Sequence, residues 1–325
     1  MIKKALYILA GFITFVGLLF LHMYIVTEDE YLMYETADLD LSIPSIEIQE
    51  TILHSETFGE DTSDVVLILH AGPGKDFRLL LPLQRLSNQH FIVFYDQRGS
   101  GLSQRVDRKT LNMDQMIEDL HSVIEYYSNT SSVSIIGHSW GGLLATAYAS
   151  KYPLKVYQLI IIEPWDYSPN TIEKKTIRLS QLSMRYWFES RHVKGPDQQA
   201  SSDYYFAHVD QMEEIHEGGR PYLETIDSIE NIYWRYGSLA NKMILENIIN
   251  EQGNLRLQYF NKIDEFKNDI LIMAEAQEMD NSIIQIQLLS ACIEQCHFET
   301  VQTTIVKDTC EYIKIIQNFL QTKPK

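Results

Sequence analysis

A serine stands between glycines in Gly137-His138-Ser139-Trp140-Gly141-Gly142, after the apolar run Val133-Ser134-Ile135-Ile136 and before Leu143-Leu144-Ala145-Thr146-Ala147-Tyr148. This order predicts a strand, a sharp turn and a helix, with the Ser139 hydroxyl raised from the carboxyl edge of a sheet. The flanking glycines let the backbone pass its neighbours without a Cβ clash. A hydroxyl so placed, next to a base, is a nucleophile for acyl transfer. The five-residue pattern also arises by chance in glycine-containing turns, so its surroundings decide its meaning.

Two further strand ends supply those surroundings. Val65 to Leu69 runs into His70-Ala71-Gly72-Pro73-Gly74, and Phe91 to Tyr95 into Asp96-Gln97-Arg98-Gly99-Ser100-Gly101-Leu102-Ser103. Backbone N–H groups of Ala71 or Gly72, together with that of Trp140, are expected to form an oxyanion hole for a tetrahedral intermediate. A plain tight turn is the alternative for that loop. In the second segment Asp96 and Arg98 are expected to brace loops by ion pairing and not to touch substrate.

These three motifs, in this order, resemble the α/β-hydrolases of the proline iminopeptidase type. Residues 46 to 165 carry the resemblance well and the carboxyl-terminal part more loosely. It implies an α/β architecture, a mostly parallel doubly wound sheet with an inserted helical cap. Such enzymes remove an amino-terminal residue, often proline, from short peptides, and close relatives hydrolyse esters, amides or lactones. The resemblance thus implies acyl transfer on a small-molecule or short-peptide substrate and does not fix which.

In this fold the chain order is serine, acid, histidine. Glu278, a few residues beyond the strand-like Ile270 to Ala274, stands where the acid belongs, with Asp280 as the near alternative. The base belongs before the last helix, yet Val301 to Asp308 contains no histidine, and Gln302 and Thr303 occupy the family's Gly-His places. His297 is the one histidine beyond the cap and is the candidate base, although it starts the last strand instead of following it. His208 or His216 in the cap would break the usual order. Without an imidazole a serine hydroxyl is a poor nucleophile, so a degenerate hydrolase kept as a tethered binding protein is the second expectation.

The elements that must hold these residues are legible from periodicity. Residues 45 to 164 read as the first half of the core, 165 to 253 as a helical cap broken at Gly195-Pro196 and Gly218-Gly219-Arg220-Pro221, and 254 to 325 as the second half. In resembling aminopeptidases cap carboxylates hold the substrate's ammonium group, which would fall to Glu213, Glu214 and Glu217; a solvated acidic face is the alternative.

The amino terminus carries a different signal. Ala5 to Val26 is apolar and long enough to cross a hydrocarbon core, Lys3 and Lys4 precede it, and Glu28, Asp29 and Glu30 follow. No small-x-small cleavage pattern ends it, so residues 1 to 27 are expected to be an uncleaved signal anchor and 28 to 44 an acidic linker. The charge bias sets the amino terminus in the cytoplasm and the catalytic domain outside it. A removed signal peptide and a buried helix are the alternatives.

Composition narrows the partners. With 325 residues, 45% of them hydrophobic, and a net charge of −17, the chain can bury a full core and would repel nucleic acid. Cys292, Cys296 and Cys310 are an odd number, and no second pair stands at zinc-site spacing, so neither a metal nor a cofactor is expected.

Overall fold

The five central strands are apolar on both faces because helices cover both faces of the sheet. The computed structural model of the chain describes residues 2–29, 31–128, 132–164, 184–216, 235–275, 294–302, 305 and 309–322. In chain order these form α1 (Ile2–Val26), β1 (Tyr31–Leu32), β2 (Ser45–Ile48), β3 (Thr51–Phe58), β4 (Val65–Leu69), β5 (Phe91–Tyr95), α2 (Met113–Ser128), β6 (Val133–His138), α3 (Trp140–Lys151) and β7 (Val156–Ile162). The cap segment follows with α4 (Met184–Glu189), β8 (Val193–Lys194), α5 (Ala200–His216) and α6 (Ser238–Ile248). The chain then closes with β9 (Ile270–Glu275), β10 (Cys296–Val301) and α7 (Thr309–Leu320).

Eight strands form one sheet in the order β10-β9-β7-β6-β4-β5-β3-β2. Six of them, from β10 to β5, are parallel, and β3 and β2 add an antiparallel edge. Leu67, Ile135, Leu159 and Ile270 pack with Leu120, Leu143 and Ile244 on one face. On the other, Val66, Ile68, Ile136, Ile160 and Met273 meet Leu83, Tyr312 and Ile316. Successive strand residues alternate between these clusters, so the two helical layers lock the register. The segment Arg78–Asn88 packs as a 3₁₀ helix with Pro82 inside it, where proline lacks the N–H an α-helical turn would use.

The stretch expected as a linker is docked against both cap and core. β1 pairs in parallel with β8, Tyr31 opposite Val193 and Leu32 opposite Lys194. The Met33 N–H donates to Lys194 O at 3.2 Å and that of Ala37 to Leu102 O at 2.8 Å, with Thr36 and Ala37 buried. Backbone N–H and C=O groups that water would otherwise satisfy thus find protein partners, which ordinary linkers do not provide. The same contacts place a strand inside a segment expected to be helical.

A buried ion network fastens the cap to the core. Asp203 of α5 accepts from Arg105 Nε at 3.0 Å, Arg235 Nε at 2.9 Å, and the N–H and hydroxyl of Ser238 at 2.9 and 2.7 Å. Arg235 also reaches Asp197 at 2.7 Å and Tyr34 O at 3.2 Å. Both Asp203 and Arg235 are fully buried; each charge is matched by donors or acceptors that replace water.

Residues Lys3–Val26 of α1 are long and apolar enough to cross a membrane, and the apolar window is exposed on the protein surface. A signal sequence passes the same test.

Candidate active site

Ser139 has φ 53° and ψ −112°, the conformation of a residue held on a sharp corner between β6 and α3. Non-glycine residues rarely take a positive φ, and the cost is sustained by what surrounds it. Here the Ser139 N–H donates to Ile162 O at 2.9 Å, while Ser139 O accepts from the N–H of Gly142 at 3.0 Å and of Leu143 at 3.3 Å. Two neighbours must be glycine. A Cβ on Gly137 would lie 2.4 Å from Gly141 O, and one on Gly141 would lie 2.3 Å from Leu69 O and 2.8 Å from His70 O. The first turn of α3 therefore presses directly on the end of β4, which brings Trp140 beside the loop of Ala71 and Gly72.

That loop is fixed by its neighbours. The Gln97 N–H donates to His70 Nε2 at 3.0 Å, which leaves Nδ1 to donate to Ala71 O at 2.6 Å. Gln97 Nε2 donates to His70 O at 3.1 Å, and its Oε1 accepts from Trp140 Nε1 at 2.7 Å. One glutamine side chain thus ties the loop to the elbow. Burial lowers the pKa of His70, consistent with a neutral, single-tautomer ring. From the cap side, the Gly237 N–H donates to Gly74 O at 2.7 Å, and Asn241 Nδ2 donates to Pro73 O at 2.6 Å. The N–H groups of Trp140 and Gly141 precede the first intrahelical hydrogen bonds of α3, so the elbow offers donors where the loop closes over it.

The Asp96 to Ser103 segment braces, but Asp96 and Arg98 take different partners. Asp96 accepts from His54 Nδ1 at 2.7 Å, Leu102 N at 2.8 Å and Phe77 N at 3.1 Å. Burial works against the charge on His54, yet the carboxylate of Asp96 outweighs it and raises the His54 pKa to about 9. Arg98 forms a bidentate pair with Asp119 at 2.6 and 2.7 Å.

At the end of β7 stands a residue to which the sequence pattern assigns no role. Glu163, also at positive φ (46°), receives Ile305 N at 2.5 Å and the Tyr312 hydroxyl at 2.8 Å on Oε1, and His138 Nε2 lies 3.1 Å from Oε2. Burial disfavours its charge, but the hydrogen bond and charge of His138, with the Ile305 and Tyr312 bonds, win and lower its pKa. An acid directly after a buried strand, in Ile162-Glu163-Pro164, was the available signal. Its partners were not visible, because His138, Ile305 and Tyr312 are far apart in sequence. Glu163 thus binds Ile305, which lies between β10 and α7, and Tyr312 of α7.

His297 is corrected by register. It pairs with Leu271, Leu271 with Ile160, and Ile160 with Ile136. Ser139 lies three residues beyond Ile136 and three strands away, roughly 17 Å at ~3.3 Å per residue and ~4.8 Å per strand. The His297 ring is half exposed, 3.4 Å from Asp269 Oδ1 and edge-on to Phe319. A parallel sheet puts the start of β10 at the end opposite the elbow, and an imidazole cannot bridge that span. His208 is engaged within the cap, its Nδ1 2.8 Å from Tyr204 O and its ring against Tyr186 and Tyr204.

Of the other candidates, Glu278, Asp280, Glu217 and Cys292 lie outside the described residues. Glu213 and Glu214 belong to α5, but their side chains are outside the description. Gln302 directs its N–H to Glu311 Oε2 at 3.2 Å, and Thr303 is not described. Cys296 opens β10, and Cys310 lies exposed in α7, where its Sγ accepts from Arg85 Nη1 at 3.5 Å.

The strained serine elbow at the carboxyl edge of a mostly parallel, doubly wound sheet defines an α/β-hydrolase. The chain belongs to the alpha/beta hydrolase fold family, whose sequence model matches residues 64–289. It is 38% identical over 100 residues to a proline iminopeptidase of Heyndrickxia coagulans, covering 30% of this chain and 34% of that protein. With a proline iminopeptidase of Thermoplasma volcanium it shares 28% identity over 154 residues, 45% of this chain and 52% of that one. The matches thus span about a third to a half of these relatives' length. Among solved structures, a hydrolase from Pseudomonas aeruginosa PA01 superposes with a TM-score of 0.59 at 14% identity, covering 86% of this chain and 98% of that one; this likeness concerns the fold.

Proposed function

We propose that the protein is a membrane-anchored serine hydrolase that cleaves a small peptide, amide or ester by acyl transfer. Ser139 is the nucleophile, the N–H of Trp140 with that of Ala71 or Gly72 stabilises the oxyanion, and Glu278, or Asp280, orients the base. The observation that carries this reading is the positive φ of Ser139 at a corner where Gly137 and Gly141 admit no side chain. A positive φ on this strand-to-helix corner makes the hydroxyl stand clear of its backbone. The proline iminopeptidase relatives favour a substrate with a free amino terminus, whose ammonium group Glu213, Glu214 and Glu217 would hold. In this reading Lys3–Val26 is the anchor, and the lysines before it with the acids after it put the hydrolase domain on the extracytoplasmic side.

The base is His216 in this reading. The chain has ten histidines; nine have described side chains, and none of those is hydrogen-bonded to the Ser139 hydroxyl. His216 ends α5, on the cap. A base from the cap would abstract the serine proton and return it to the leaving group.

A second reading, a catalytically degenerate tethered binding protein, is favoured by one specific observation: residues 301–308 contain no histidine. A fluorophosphonate probe, which needs an activated serine beside an oxyanion hole, separates the two. The hydrolase reading expects labelling that Ser139→Ala and His216→Gln abolish and His297→Ala leaves intact. Labelling that survives His216→Gln assigns the base elsewhere, and no labelling of the folded wild-type protein favours the binding protein.

A further inference from the structure

The carboxyl-terminal half of α1 grips one piece of the cap. Phe20 packs edge-on against Phe188 with ring centroids 5.5 Å apart, Tyr24 lies 4.3 Å from the His192 ring, and His192 Nε2 is 3.1 Å from Tyr24 O. Val16, Phe20, Met23, Tyr24 and Thr27 recur at helical spacing, one stripe down α1. The span Lys3–Val26 has 24 residues, ~36 Å of helix at 1.5 Å per residue against a hydrocarbon core of ~30 Å. Phe20 lies six residues, ~9 Å, before Val26. In a centred helix its ring, and Phe188 with it, sits about 6 Å inside the hydrocarbon boundary, the depth of interfacial helices.

The cap piece it holds has the composition that such a depth demands. Met184 and Trp187 are 51% and 39% exposed, and the Arg191 guanidinium lies over the Trp187 ring at 4.5 Å. Residues 184–194 carry Arg185, Arg191 and Lys194, whereas the whole chain has a net charge of −17. The segment's one acid, Glu189, is buried and accepts from Arg185 and Tyr204 at 2.6 and 3.1 Å. A basic, tryptophan-bearing strip on an acidic protein matches a lipid surface with anionic headgroups, where tryptophan seats at headgroup level and basic side chains pair with phosphate oxygens.

We propose that residues 184–194 of the cap lie in the headgroup layer of the bilayer, with Met184 and Trp187 among the upper acyl carbons and Arg191 against anionic headgroups. The inference rests on the reading of α1 as a membrane anchor. It makes the cap a second membrane contact, continuous with the first through Phe20 and Phe188.

The full-length protein, reconstituted in vesicles containing phosphatidylglycerol, tests it by quenching of tryptophan emission with acyl chains brominated near the headgroup or near the methyl end. Near-headgroup bromine is expected to quench the wild type more strongly than deep bromine. Trp187→Phe should lose that quenching, and Arg191→Glu should weaken it. Equal quenching of wild type and Trp187→Phe in protein that resists carbonate extraction overturns the cap contact and leaves the anchor standing. Protein released by carbonate, or a mature chain lacking residues 1–26, overturns both.

Discussion

The carboxylate of Glu163 accepts the hydroxyl of Tyr312 at 2.8 Å and so joins the end of β7 to the final helix. The same oxygen takes the Ile305 N–H, so one carboxylate oxygen serves a residue between β10 and α7 as well as α7 itself. Tyr312→Phe removes one hydrogen bond to a charged group and should cost about 1.5–3 kcal/mol. Glu163→Ala should cost more, because Ile305 N, Tyr312 and His138 all lose their acceptor. Urea unfolding of the two variants checks the order.

Ser139 supports a prediction in the opposite direction. Its φ of 53° is a conformation that glycine adopts without strain, so Ser139→Gly should stabilise the fold by about 1 kcal/mol while removing the hydroxyl. Ser139→Ala keeps the strain and should leave stability near that of the wild type. Thermal unfolding of both variants measures the difference, and a destabilised glycine variant would show that the hydroxyl itself holds the elbow.

His54 and Asp96 make stability depend on pH. The His54 pKa is raised from 6.5 to about 9, so the folded state binds more protons than the unfolded chain between those values. Its contribution is complete below pH 6.5 and disappears as pH rises through 9, a loss of about 3 kcal/mol. The Asp96 pKa is lowered from 3.8, burial being outweighed by the His54 charge, so its share is present above 3.8 and disappears in acid. Denaturation midpoints at pH 6 and pH 9.5 should differ in the wild type and converge in His54→Gln.

The cap's attachment rests on Asp203. Asp203→Ala would leave the buried guanidiniums of Arg105 and Arg235 without this carboxylate, and breaking one side of a buried ion pair costs about 3–5 kcal/mol. Limited proteolysis should then cut the cap before the core. Cleavage rates equal to those of the wild type would mean that the cap's other contacts, among them the β1–β8 pairing and Gly237 with Gly74, hold it without Asp203.

The sequence by itself determined what depends on neighbours in the chain. The glycines around Ser139, the apolar runs Val65–Leu69 and Ile270–Glu275 and the apolar helix ending at Val26 are local patterns, and each formed the element its periodicity demands. Only the tertiary structure decided which distant groups meet. The roles of Gln97 and Glu163 arise because β5, β6, β7 and the β10–α7 connection come to one sheet edge, bringing together residues up to 149 positions apart. The docking of Thr36 and Ala37 beside Leu102 was hidden by their polar, acidic surroundings. His297 stands apart from Ser139 because parallel pairing fixes which end of the sheet each strand residue occupies; its place at the start of the last strand already pointed that way, and the register of β10, β9, β7 and β6 set the distance.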